Sequence, residues 1–160
     1  METARAQDLA ERLHASDRED DGTPLLHHIR RVAGLATPEA RPVAWLHEAL
    51  GWTAVTEQEL LLEGLDDDEL RALRLLHMTT VPRTARAYLA HLELVARSAG
   101  ESGRLARLVK IGDLRDRLAH PLAGNDGWSP PRARGLALLL AKADAGAHAT
   151  ASRASGEAAS

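Results

Sequence analysis

The chain contains no phenylalanine, one tyrosine and three tryptophans in 160 residues. With so few rings, its interior has to be filled by Leu, Ala and Val. Leu and Ala favour helix, whereas a sheet draws its packing from β-branched and aromatic side chains. The expected fold class is all-α. At 160 residues the chain is the size of one domain with a single core.

Cap and turn signals divide the chain into about seven or eight short helices. A first helix is expected over 4–14, with Leu9 and Leu13 one turn apart. The polar run DREDDG (17–22) breaks it, and Thr23-Pro24 opens a second helix carrying Leu25, Ile29, Val32 and Leu35 at helical spacing. Thr37-Pro38 repeats that signal for a third helix over 39–50, and Thr56 caps a short one over 57–63. Asp66-Asp67-Asp68 suits the start of a helix over 69–77. Pro82 opens a helix to 99, 100–103 reads as a linker, and 105–118 forms the next helix. A loop is expected over 121–131 and a last helix over 132–147. The domain then spans 1–147, and the Ala/Ser-rich tail, 148–160, is expected to be disordered.

The formal charge of -3, with both signs interspersed, argues against a binder of duplex nucleic acid. There is no cysteine, so any metal has to be held by imidazole and carboxylate. No apolar run approaches the length of a membrane span and residues 1–13 lack the apolar stretch of a signal peptide, so the expected location is the cytoplasm.

Three elements stand out: His27-His28 on the second helix, His47-Glu48 inside the otherwise apolar VAWLHEAL, and Asp113 after the apolar run LVKIG. Imidazoles and carboxylates brought together from separate helices form the kind of nitrogen/oxygen site that binds Mn²⁺, Fe²⁺ or Zn²⁺ and activates water. Taken singly, each has a plainer reading. His27 beside His28 suits solvent, His47 suits a core imidazole bonded to a carbonyl, and Asp113 suits a pair with Lys110, Arg115 or Arg117 on its own helix.

The stretches DGTPLLHHIRRVA (21–33), AWLHEALGWT (44–53) and LVKIGDLRDRL (108–118), in this order and spacing, resemble the HD-domain metal-dependent phosphohydrolases. The likeness is to the alarmone-hydrolase branch of the RelA/SpoT type and its small stand-alone relatives. Arg12 and His14 in ERLH, and the segment 73–92, extend it over about residues 4–120. The resemblance implies an HD-like helical bundle with His28, His47, Glu48 and Asp113 as ligands of one divalent metal, Mn²⁺ first and Fe²⁺, Zn²⁺ or Mg²⁺ as alternatives. It also implies Glu48 and Asp113 as catalytic residues, Arg12, Lys110 and Thr53 as substrate-binding residues, and a small nucleotide-like ligand.

The sequence departs from the family at three places. Glu48 stands where the family has Asp, Gly51-Trp52 where it has a Glu-Asp pair, and Arg117 where it has Asn. Two readings follow. One is a hydrolase of nucleotide-like phosphoesters or pyrophosphates that differs from an alarmone hydrolase. The other is a catalytically degenerate module that binds nucleotide or protein.

Overall fold

The computed structural model describes residues 1–79, 84–122 and 126–157, with side chains through Ala143 except at Asp126. Among these residues the chain forms α1 (Thr3–Leu13), α2 (Leu25–Leu35), α3 (Arg41–Leu46), α4 (Ala49–Trp52), α5 (Glu57–Leu62), α6 (Asp67–Leu76), α7 (Ala85–Arg97), α8 (Gly100–Ala119) and α9 (Ser129–Glu157). Two 3-10 turns, Pro38–Ala40 and Asp126–Trp128, complete the secondary structure, and no strand is present among the described residues. The all-α expectation holds. Because α3 and α4 share the stretch expected as one helix, the nine segments correspond to eight expected ones.

The hub is α8, which packs against α2, α3, α6, α7 and α9. Its buried residues, among them Leu105, Ala106, Val109, Ile111 and Leu114, do not keep to one narrow stripe, as suits a helix covered on several sides. At Gly112 the approach is close: a Cβ there would lie 3.6 Å from Val32 and Leu35 of α2. This contact brings the buried face of α2 against the middle of α8. α1 lies on α3, and α7 and α9 close the other side of α8. The core is aliphatic, with Leu25, Ile29, Leu46, Leu60, Leu73, Leu92, Leu114 and Leu139 fully buried.

Several boundaries differ from the sequence expectation. The third helix, expected unbroken over 39–50, starts as a 3-10 turn and breaks at His47-Glu48. His47 Nδ1 lies 2.7 Å from the Ala44 carbonyl, the acceptor that a continuing α-helix would offer to the Glu48 N–H. The expected linker over 100–103 is the first turn of α8. Gly103 lets that turn start hard against the end of α7, since a Cβ there would sit 2.2 Å from the Ser98 carbonyl oxygen. The expected loop over 121–131 gives way at Asp126–Trp128, and α9 begins at Ser129, ahead of the expected 132. Pro130 and Pro131 fall in the first turn of α9, where a missing N–H costs no hydrogen bond. The helix start expected at Pro82 lies outside the described residues, and α7 opens at the Thr84 cap, whose side chain accepts from Ala87 N–H. α9 runs past 147 to Glu157, and residues 158–160 of the expected tail lie outside the described residues.

The caps read from sequence on α5 and α6 are present as reciprocal capping boxes, Thr56 with Glu59 and Asp66 with Glu69. The N-terminal amine also pairs with Glu69 at 2.7 Å, tying the chain start to α6.

Candidate metal centre

His28 and His47 face each other across the α2–α3 contact. His28, in the middle of α2, is buried by the apolar positions around it, and its neighbour His27 is exposed. That difference identifies His28 as the inward residue of the pair. The break after α3 aims His47 and Glu48 at the same point, and α8 delivers Asp113 to it. Ligating atoms of His28, His47 and Asp113 all lie within 4.8 Å of one another, so this buried cluster can hold a metal ion.

Four distances in the centre match those between ligands of a small ion. His28 Nε2 is 3.2 Å from His47 Nε2, 3.6 Å from Glu48 Oε1 and 3.5 Å from Asp113 Oδ1. His47 Nε2 is 3.5 Å from the same Glu48 oxygen. Ligands held tetrahedrally at about 2.0–2.2 Å from an ion lie roughly 3.3–3.6 Å apart.

Hydrogen bonding at the far sides of the rings fixes what they present inward. His47 Nδ1 meets the Ala44 carbonyl, a pure acceptor, and therefore carries the proton. His28 Nδ1 lies 2.6 Å from Asp116 Oδ2, likewise an acceptor. When both rings are neutral, each Nε2 offers a lone pair to the shared point, beside two carboxylate oxygens. Four such atoms repel one another unless a cation sits among them, whether a proton or a metal ion.

The charges around the centre reflect this demand. Burial pushes the Asp113 carboxyl up, but Lys110, both imidazoles and Arg117 outweigh it and hold the group well below the usual range. Burial likewise opposes ionisation of Glu48, yet the nearness of His28 and the charges of the two histidines bring it down to about 2. For His28, burial is outweighed by Asp116, Glu48 and Asp113, so the ring is more basic than usual. Burial dominates at His47 and lowers it.

Lys110 and Arg117 flank Asp113 on α8. Lys110 Nζ donates to Asp113 Oδ2 at 2.7 Å, which leaves Oδ1 toward the histidines. Arg117 Nη1 donates to both oxygens of the buried Glu19 at 2.7 Å. Its Nη2 and Nε stand 3.6 Å from Glu48 and 3.9 Å from Asp113, beyond hydrogen-bonding reach. Four carboxylates (Glu19, Glu48, Asp113, Asp116) thus face three cations (Arg31, Lys110, Arg117). A divalent ion turns that single net negative charge into a single positive one.

Two of the sequence-selected residues lie apart from the cluster. Arg12 is exposed on α1, pairs with Glu63 at 3.4 Å and lines a surface groove with Leu9, Val55 and Glu59. Thr53 caps α4, its hydroxyl donating to the Ala49 carbonyl at 2.8 Å and accepting from Val55 N–H. His14 is buried, with Nδ1 2.8 Å from Asp17. Gly51 and Trp52 are exposed, and a Cβ on Gly51 would lie 3.5 Å from His77 Nδ1. Glu19, Arg31 and Asp116 are site residues that the sequence reading passes over. The i, i+3 spacing of Asp113 and Asp116 on α8 is the one sequence signal for any of them. Comparison of the chain with protein-family models and with curated proteins finds no match.

Proposed function

We propose that this chain is an HD-type, metal-dependent phosphohydrolase acting on a small nucleotide-like phosphoester or pyrophosphate, with Mn²⁺ as the first candidate metal and Fe²⁺, Zn²⁺ or Mg²⁺ as alternatives. One observation carries the reading: His28, His47 and Asp113 bring ligating atoms within 4.8 Å of one another, with a Glu48 oxygen 3.5 Å and 3.6 Å from the two imidazole Nε2 atoms. When bound at such a site, a divalent metal acidifies its water and polarises a phosphoryl oxygen. His28, His47 and Asp113 are the most deeply buried of the set. Glu48, with 22% of its side chain exposed, marks the side open to substrate. Lys110 holds Asp113 in its ligating orientation. Arg117, anchored by Glu19, keeps N–H groups near the centre that are suited to a phosphate oxygen, a task the family resemblance gives to Arg12 and Lys110. The net positive charge of the loaded centre favours an anionic ligand.

Gly51 and Trp52 favour a second reading, a module that binds nucleotide without turnover. Trp52 is 41% exposed, and neither residue supplies a carboxylate to orient water. The same substitutions weigh against alarmone hydrolysis in particular. Chelator-stripped protein restored with Mn²⁺ and given a panel of nucleotides and alarmones separates the two. Release of phosphate or pyrophosphate, reduced at least about 100-fold in Asp113→Ala, is the expected result. Nucleotide and metal binding without any turnover would replace the hydrolase with the binding module.

A further inference from the structure

We propose that Asp116 is a positioning residue for the metal centre: its carboxylate accepts the Nδ1–H of His28, and so turns the Nε2 lone pair of His28 toward His47, Glu48 and Asp113. The inference rests on the metal-site reading for its purpose, but its geometry stands without it. Asp116 lies one turn beyond Asp113 on α8, so a single helix supplies a ligand and the partner of another ligand. Its side chain is 1% exposed, and Oδ2 lies 2.6 Å from His28 Nδ1. Arg31 holds Asp116 from the other side, with Nε 2.5 Å from Oδ1 and Nη2 3.1 Å from Oδ2. His120 Nδ1 also lies 3.1 Å from Oδ1.

This chain of contacts has a chemical consequence. A neutral imidazole carries one ring proton, and in the absence of a partner either nitrogen can hold it. If Nε2 held it, the proton would point into the space that a cation needs. An acceptor at Nδ1 removes that choice, and an ionised carboxylate also makes the ring a stronger electron-pair donor. Arg31 and His28 lie three residues apart on α2, so they meet the same carboxylate from one helix face. The Ala44 carbonyl does the same work for His47, by a backbone rather than a side-chain acceptor. Both histidines are therefore prepared before any ion arrives. An ion pair serving only to join α2 to α8 would not require the His28 contact.

The test uses the full ¹⁵N-labelled, chelator-stripped chain. Long-range proton–nitrogen correlation spectra of the His28 ring are recorded where it is neutral, and Zn²⁺ affinity is then measured by calorimetry. In the wild type the ring proton is expected on Nδ1. In Asp116→Asn the proton should distribute over both nitrogens, and Zn²⁺ affinity should fall about 10–100-fold. Arg31→Gln leaves the His28–Asp116 contact in place and is expected to lose only several-fold in affinity, so it serves as the milder variant should Asp116→Asn fold poorly. A wild-type His28 proton on Nε2 overturns the proposal, as does unchanged Zn²⁺ affinity in a folded Asp116→Asn. If wild-type protein binds no Zn²⁺ at all, the metal reading fails on its own, and the position of the ring proton still decides the role of Asp116.

Discussion

Two neutral imidazoles cannot hydrogen-bond through nitrogens that both carry lone pairs, yet His28 and His47 bring their Nε2 atoms to 3.2 Å. The energetics of the site follow from that contact, and so does its legibility. His47 and Glu48 stand out in the sequence within an apolar run, and the order and spacing of the three motifs bring in His28 and Asp113. Asp116 and Glu19 do not stand out, because a charged residue next to other charged residues reads as a solvated surface. Only the packing of α2 and the 14–24 segment against α8 buries them. A different buried histidine allows a test at the same scale. Burial and the nearby charge of Lys110 lower His91 to about 4, with the Leu76 carbonyl offsetting only part of this. Its Nε2 is buried with no hydrogen-bond partner among the described residues. In the unfolded chain His91 takes up a proton near pH 6.5, whereas in the fold it does so only near 4. Between those values the unfolded state binds more protons, so stability is lost as pH falls. Between pH 7.5 and 5 the urea midpoint of the wild type is therefore expected to fall relative to that of His91→Gln. Equal changes in the two proteins would contradict the assignment.

Helices were the legible scale, and their interruptions were not. The sequence pattern gives α1, α2, α5, α6 and most of α8 to within a few residues, because caps and apolar spacing are local signals. The break after α3 depends on a side chain taking a backbone acceptor, and the early start of α8 depends on how closely Ser98 approaches. Neither follows from periodicity. Two glycines separate these influences. Gly103→Ala is expected to destabilise by about 1–3 kcal/mol, since its methyl would collide with the backbone of Ser98 and not with a flexible side-chain end. Gly34→Ala, in the exposed part of α2 with nothing within 4 Å of the added methyl, is expected to stabilise by about 0.5–1 kcal/mol through helix propensity. Denaturant unfolding of both variants checks the pair, and a stabilised Gly103→Ala would mean that α8 does not begin against α7 as described.

Across the whole molecule, one aliphatic core carries a polar centre at the meeting of α2, the α3–α4 break and α8. Among the described residues, no helix is long and apolar enough to cross a membrane. Scarcity of aromatic residues pointed to this architecture correctly, because Leu and Ala fill space between helices without needing sheet surfaces. The centre links chemistry to stability. An ion that binds only the folded chain adds about 2.7 kcal/mol at a hundredfold excess over its dissociation constant. The most direct measurement is calorimetric titration of chelator-stripped protein with Mn²⁺ and with Zn²⁺, alongside thermal unfolding at each end point. One ion per chain, a raised melting temperature, and loss of both in His47→Ala are the expected results. No binding by the wild type, or the same binding by His47→Ala, would rule out a metal centre at this site.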